Sequence, residues 1–384
     1  MSTAARRGVG AALAVVLVAG IVVAVLWGRG DRGSASGTTN LVTVQGVIGS
    51  EKKPFFDDPE VRAVFAQHGL DVQVRTAGSR QIATSVDLSG VDFVFPASAP
   101  AAEKIKEVTG RSTSYAPFYS PMAIASFKPI VALLESAGIA HQDASGQWLF
   151  DVDKYLQAVQ SGTRWSDLPG AAATYNTSRS LLLSSTDVRT SNSAAMYLSI
   201  ASYVAAGNNV VTTAQQRDAV IDQMSTLFLA QGFSASSSEE PFDDYLSQGV
   251  GSKPLVMVYE SQFLGREMNA ATASAITDDM VLMYPTPTVL SKHTLVPLTD
   301  AGDQVGQLLT EDPQLQALAA QYGFRPADSA VFASTLAAHG LDVPPLPVDV
   351  VEPPTYESLE AMITAISGRY STVVTVPSDE PSAH

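Results

Sequence analysis

Residues 42–56 read VTVQGVIGSEKKPFF. A β-branched run ends at Gly49-Ser50, the charges Glu51, Lys52 and Lys53 follow, and Pro54 leads into Phe55-Phe56. Residues 41–48, LVTVQGVI, read as a strand. The next stretch, DPEVRAVFAQHGL (58–70), has the grammar of a helix: Asp58 suits the N-cap, Pro59 the first turn and Gly69 the C-terminal cap. Val61, Val64 and Phe65 fall on one face, as a helix packed on a sheet requires. LDVQVRT (70–76) is a second strand, GSRQIATSV (78–86) opens a short helix, and VDFVFPAS (91–98) is a third strand. This β-α-β-α-β order predicts an open parallel sheet. Its strand ends, Gly49-Ser50, Gly78-Ser79 and Ala97-Ser98, then share the edge at which such sheets bind ligands. Three Ser-bearing turns there give a rim of hydroxyls and backbone amides, with Phe55-Phe56 pinning it from below.

The whole chain is consistent with that start. Its 384 residues suffice for two lobes, and 46% apolar against 16% charged residues marks an ordered protein. A net charge of −15 argues against nucleic acid, whose phosphates call for a basic surface. The absence of cysteine excludes disulfides, cysteine zinc sites, iron–sulfur clusters and a lipid-anchored N-terminal Cys.

Arg6 and Arg7 precede GVGAALAVVLVAGIVVAVLW, Gly8 to Trp27, which holds no charge. As a helix it would span roughly 30 Å, the hydrocarbon thickness of a bilayer. Trp27 suits an interface, and GRGDRGSASGTTN (28–40) is a flexible linker. The expectation is a cytoplasmic stub (1–7), a single-pass anchor (8–28) and a linker (29–40). The rival reading is a signal peptide cleaved after Ala35. Either reading puts the globular part outside the membrane of a bacterial cell.

After YSPMAIAS (119–126) the pattern changes. Helical periodicity appears at 127–138, 151–162, 194–207 and 214–233. LLLSSTDVRTSNS (181–193) reads as a strand and a helix start, and KPLVMVYESQF (253–263) as a strand. Residues 279–298 look like a return. EDPQLQALAAQYGF (311–324) repeats the first helix's grammar, with Asp312 capping, Pro313 following and Gly323 ending it. PPLPVDVVEPP (344–354) is a stiff linker, followed by a short helix from Tyr356 to Ile366 and an acidic tail.

In this order the chain resembles a type 2 extracellular (periplasmic-type) solute-binding protein, closest in layout to the molybdate-binding branch. The resemblance covers residues 41 to about 330. It rests on GS after the first strand, GSRQIA after the second and VDFVFPASAPAAEKI after the third. Further on it rests on YSPMAIAS, RWSDLPG, VMVYESQF, MYPTPTVL and QYGFRP. It implies an α/β fold of two lobes joined by a two-strand hinge, with a solute held between them and no catalysis. Lobe 1 would comprise 41–120 and 286–342, lobe 2 residues 121–285, and 343–384 a Pro-rich linker, short helix and tail. The hinge would run near 120–126 and 278–288.

By position, the resemblance implies ligand contacts from Ser50, Ser79 and Tyr259, and from Ser191 and Asn192 at a helix start in the second lobe. Ser98 at the third strand end and Ser120 in the crossover join the candidate set. Glu51, Lys52 and Arg80 crowd the first-lobe turns and Glu260 follows Tyr259, where a molybdate-type site would be uncharged. Arg80 suits either a bidentate clamp on a carboxylate or phosphate or a salt bridge between lobes. Glu260 suits either a ligand contact or a structural hydrogen bond. These departures favour a small polar organic or zwitterionic solute over an oxyanion.

Enzyme patterns are weak. SEKK (50–53) is formally Ser-x-x-Lys, but Pro54 disfavours helix there and the companion motifs of penicillin-recognising enzymes are missing. His68, His141, His293, His339 and His384 have no metal-ligand spacing, and no Gly-rich phosphate loop is present. No cofactor is implied. The expectation is a membrane-anchored, non-enzymatic binding protein serving an ABC-type importer. The alternative is the same fold tethered as a sensor or scaffold that binds another membrane-anchored extracellular protein.

Overall fold

The computed structural model describes residues 41–231, 235–342 and 349–373. The expected stub (1–7), anchor (8–28) and linker (29–40), residues 343–348 of the Pro-rich segment and the tail beyond residue 373 lie outside the described residues. Among the described residues, no helix is long and apolar enough to cross a membrane. The fold below belongs to the unit that begins at Val42.

In chain order the strands are β1 (Val42–Ile48), β2 (Leu70–Thr76), β3 (Phe93–Phe95), β4 (Tyr115–Phe127) and β5 (Ala140–Gln142). Then come β6 (Trp148–Asp151), β7 (Leu255–Tyr259), β8 (Met280–Thr286), β9 (Leu290–Pro297) and β10 (Arg325–Pro326). The helices begin with α1 (Lys53–Asp57), α2 (Pro59–Gln67), α3 (Ser79–Thr84), α4 (Ala99–Thr109) and α5 (Lys128–Ser136). Next are α6 (Val152–Gln160), α7 (Ala171–Thr174), α8 (Asn192–Ala205), α9 (Ala214–Leu229) and α10 (Glu239–Gln248). The last are α11 (Glu260–Met268), α12 (Asp300–Glu311), α13 (Pro313–Gln321), α14 (Ser329–Ala338) and α15 (Tyr356–Val373).

β1 lies between β2 and β3, parallel to both, with Val44 opposite Val72 and Ile48 opposite Phe95. The carboxyl ends of all three strands therefore open on one edge. β9 returns antiparallel beside β3. The long strand β4 then serves two neighbourhoods. Its first half pairs with β9 and β10, and its second half pairs with β7 and β8. The two largest of the buried apolar clusters follow this split. One gathers Val44, Phe55, Phe56, Phe65, Phe93, Phe95 and Phe118, and the other Ile124, Tyr155, Tyr197, Phe228, Val256 and Val258. Phe55 and Phe56 are almost fully buried, and burying such a side chain contributes about 1.5–3 kcal/mol.

Local chemistry sets the helix boundaries. The Asp58 carboxylate accepts from Glu60 N (2.6 Å), and Asp312 accepts from Gln314 N and Leu315 N (2.8 and 3.0 Å). Gly69 and Gly323 end their helices at φ of +80° and +77°, a region that strains any residue bearing a Cβ.

Three expectations need correction. Ser50–Lys52 form a 3-10 turn that runs directly into α1, with Pro54 in that helix's first turn. Proline is tolerated there because first-turn amides have no partner inside the helix. The stretch from Leu181 forms no strand, only a single bridge from Ser184 to Val256. The tail helix runs past the expected Ile366 to Val373, where Arg369 pairs with Asp222 and Tyr370 Oη donates to Phe228 O (3.1 Å), while Leu359, Met362, Ile363 and Ile366 bury its apolar stripe in the second core.

Candidate functional site

The turns after β1 and β2 meet the starts of α8 and α10 around a cavity of about 210 Å³. Ser50, Glu51, Thr76, Gly78, Ser79 and Gln81 line it from the parallel-sheet side, and Ser191, Asn192, Ser236, Ser237, Ser238 and Tyr259 from the other. The two walls touch at its rim. Ser50 Oγ lies 3.0 Å from Ser237 Oγ, and Asn192 Nδ2 donates to Ala97 O (3.2 Å) and to Tyr259 Oη (3.0 Å). Ser79 Oγ accepts from Ala97 N (2.8 Å), which ties the second strand end to the third. The wall is thus built of hydroxyls, the amide side chains of Gln81 and Asn192, and helix starts. Glu51 is the charged residue in it.

Glu51 belongs to a buried cluster. Its carboxylate pairs with Lys52 Nζ, and His293 Nδ1 on β9 stands 3.1 Å from Lys52 Nζ and 3.4 Å from Glu51 Oε1. Lys52 does not reach the cavity and lies over the Phe95 ring at 4.8 Å. The negative end of the pair therefore faces the cavity and the positive end faces the core. Burial acts to raise the Glu51 pKa, yet Lys52 and His293 outweigh it and hold the group at about 2. Burial and the charge of Lys52 push His293 down to about 4, so the ring is neutral near pH 7. Burial also lowers Lys52 against the pull of Glu51, and it raises the Tyr259 phenol, with the charge of Glu51 adding to the rise.

Of the residues singled out in the sequence, Ser50, Glu51, Ser79, Ser191, Asn192 and Tyr259 come together here. The other four do not. Arg80 is committed to the C-terminal helix: Nε donates to both Glu360 carboxylate oxygens (2.6 and 2.7 Å) and Nη1 to Arg189 O (2.6 Å). Glu260 is fully buried against Arg325 (2.6 and 2.9 Å) and Tyr284 Oη (2.6 Å), so its carboxylate is committed to structure. Ser120 Oγ accepts from Ser261 N (3.0 Å), which fastens β4 to the start of α11. Ser98 is buried at the head of α4 and does not line the cavity. Lys53 pairs with Asp57 on the exposed side, so Ser50 and Lys53 form no nucleophile–base pair.

Sequence reasoning missed Ser236–Ser238, although a serine run before Glu239-Glu240 is itself a helix-start signal. The pairing of Lys52 with His293 gave no signal, because it joins the 3-10 turn after β1 to a strand far along the chain. Among the described residues, no group of three or more His, Asp or Glu is placed to hold a metal ion.

No family model and no curated protein matches the sequence. Solved structures do match the fold. The sulfate-binding protein SubI of Mycobacterium tuberculosis H37Rv aligns at 17% identity and TM-score 0.50, covering 88% of this chain and 99% of its own. Iron-bound HitA of Pseudomonas aeruginosa aligns at 11% and 0.51, covering 85% and 99%. The apo ferric ion-binding protein A of Pasteurella haemolytica aligns at 11% and 0.51, covering 88% and 99%. All three are binding proteins by name, and none is an enzyme. This chain has the two-lobed fold of the type 2 solute-binding proteins.

Proposed function

We propose that this protein is an extracytoplasmic solute-binding protein, held to the membrane by residues 8–28, that closes two lobes on a small polar solute. A membrane permease of the ABC type would receive the solute. Lobe 1 would comprise 41–120 and 286–342 and lobe 2 residues 121–285, with β4 and the β8–β9 return as the hinge. The observation that carries this reading is the polar cavity lined from both sides by hydroxyls and helix starts. Its volume of about 210 Å³ is below the usual range for drug-sized ligands, which suits a small solute. Closure is favoured by whatever differential affinity the solute has for the closed form.

The test is native mass spectrometry of the full chain in detergent, with a thermal-shift panel of amino acids, sugars, oxyanions and polyamines. A ligand at 100 times its dissociation constant stabilises the folded state by about 2.7 kcal/mol, which raises Tm by several degrees in a chain of this size. A shift that Ser50→Ala or Asn192→Ala reduces is the expected result. A bare mass and a flat panel would remove the reading. One observation favours the second role, a tethered sensor or scaffold: α15 packs on α8 and α9 and also against α4, across the cleft. That role predicts capture of a membrane-anchored extracellular domain by the full chain.

A further inference from the structure

Residues 349–373 attach to the rest of the fold at three places. Asp349 O accepts from Thr288 N (2.9 Å) and Val351 N donates to Thr288 O (2.8 Å), in the turn between β8 and β9. The start of α15 then lies on the parallel-sheet side. There the Tyr356 ring packs against the cluster of Val47, Ile82, Ala102, Ile105 and Val296. Glu357 approaches Lys104 of α4 (3.8 Å), and Glu360 takes the Arg80 guanidinium (2.6 Å). The apolar face of the helix belongs to the other core, where Leu359, Met362, Ile363 and Ile366 are buried. Its far end is tied there too, by Arg369 to Asp222 and by Tyr370 Oη to Phe228 O (3.1 Å).

The two sides do not hold α15 equally. Each of the four buried apolar side chains contributes several times what an exposed ion pair does. On the parallel-sheet side both ion pairs are partly exposed and the Tyr356 ring is only half-buried. The Tyr356 hydroxyl is buried without a hydrogen-bond partner, a desolvation cost that release to water would return. When the two sides of the cavity part, α15 therefore lets go of the parallel-sheet side and stays on the second core.

We propose that α15 is a latch on the cleft, with Tyr356 and Glu360 as its releasable end and Arg80 as the keeper, and that it holds the lobes together without a solute. This rests on the lobe-closure reading above and adds a third link to the two-strand hinge. Tyr356 and Glu360 must release before a solute enters, so the strength of this end sets how often the empty cavity opens.

Thr84 on α3, Asp218 on α9 and Thr364 on α15 are exposed and can carry spin labels as cysteines, two at a time. The distances are measured on the full chain in detergent with no solute added. In Tyr356→Ala/Glu360→Ala, the longer component of the Thr84–Asp218 and Thr84–Thr364 distances should grow by about threefold or more relative to the shorter one. The Asp218–Thr364 distance should not change. Tyr356→Phe, which removes only the unpartnered hydroxyl, should shift the first two distances the other way and serves where the double variant does not fold. An Asp218–Thr364 distance that lengthens would overturn the latch. So would Thr84 distances that no Tyr356 or Glu360 variant moves while Gly78→Val, whose side chain would meet Thr190 O, lengthens Thr84–Asp218; lobe closure would then stand alone. Distances that Gly78→Val leaves unmoved as well would overturn both.

Discussion

Arg80 and Glu360 meet across the cleft, with the guanidinium Nε shared between both carboxylate oxygens at 2.6 and 2.7 Å. Arg80 starts from α3, beside the strand-end edge, and Glu360 from α15, whose apolar face is buried in the other core. The same guanidinium donates to Arg189 O, and Arg189 lies over the Tyr370 ring of α15 at 4.5 Å. The C-terminal helix therefore grips both sides of the cavity.

Glu360→Ala should loosen that grip without touching the cavity wall. Both partners are partly exposed, so the loss should be about 1 kcal/mol. Small-angle scattering should show a larger radius of gyration, with little change in far-UV circular dichroism. An unchanged radius would show that the pair does not hold the cleft.

Gly78 offers a steric test of closure. Its φ of −63° suits any residue, yet a Cβ there would collide with Thr190 O across the cleft. Gly78→Val should leave each half folded and prevent the two from meeting. The expected readout is a native-like Tm within a few degrees, together with an expanded radius of gyration. A Gly78→Val variant as compact as the parent would contradict the account.

Acid should weaken the fold in two steps. The His293 pKa lies below its unfolded value of about 6.5, so the unfolded chain binds the extra proton first. Stability is full above that value and falls as pH drops toward about 4. Glu51 adds a second loss, from its unfolded value near 4.5 down to about 2. Together they should cost a few kcal/mol. His293→Leu should flatten the decline of Tm between pH 6.5 and 4 and leave the lower step. A parallel decline in both proteins would assign the first step elsewhere.

Glu260 and Arg325 form the buried joint between the β7–α11 corner and β10. Removing one partner leaves a charge without compensation, which costs about 3–5 kcal/mol. Arg325→Met should therefore lower stability far more than Glu360→Ala. The double variant Glu260→Gln/Arg325→Met should recover part of the loss. Equal losses in the single and double variants would show that the ion pair is not the cause.

Much of the parallel sheet was legible because its signals are local. Asp58-Pro59 with Gly69, and Asp312-Pro313 with Gly323, state their helix ends within a single segment. The strand-end serines follow from the βαβ order, which is also local in sequence. The roles of Arg80 and Glu260 were not legible as single outcomes. Each is decided by a partner from a distant segment, Glu360 in one case and Arg325 in the other. Lys52 was ambiguous for the same reason. A lysine in a charge cluster reads as a solvated turn until Glu51, His293 and the Phe95 ring are seen to enclose it.

The chain has no cysteine, so two labels can be placed without background. Thr84 on α3 and Asp218 on α9 are exposed and lie on opposite sides of the cavity. The most direct measurement is the distance between spin labels at Thr84→Cys and Asp218→Cys in the full chain, with and without a stabilising probe. Solute capture by closure predicts two distances, the shorter one gaining population when the probe is added and vanishing in Gly78→Val. A single distance, unmoved by any probe and unchanged in Gly78→Val, would contradict it.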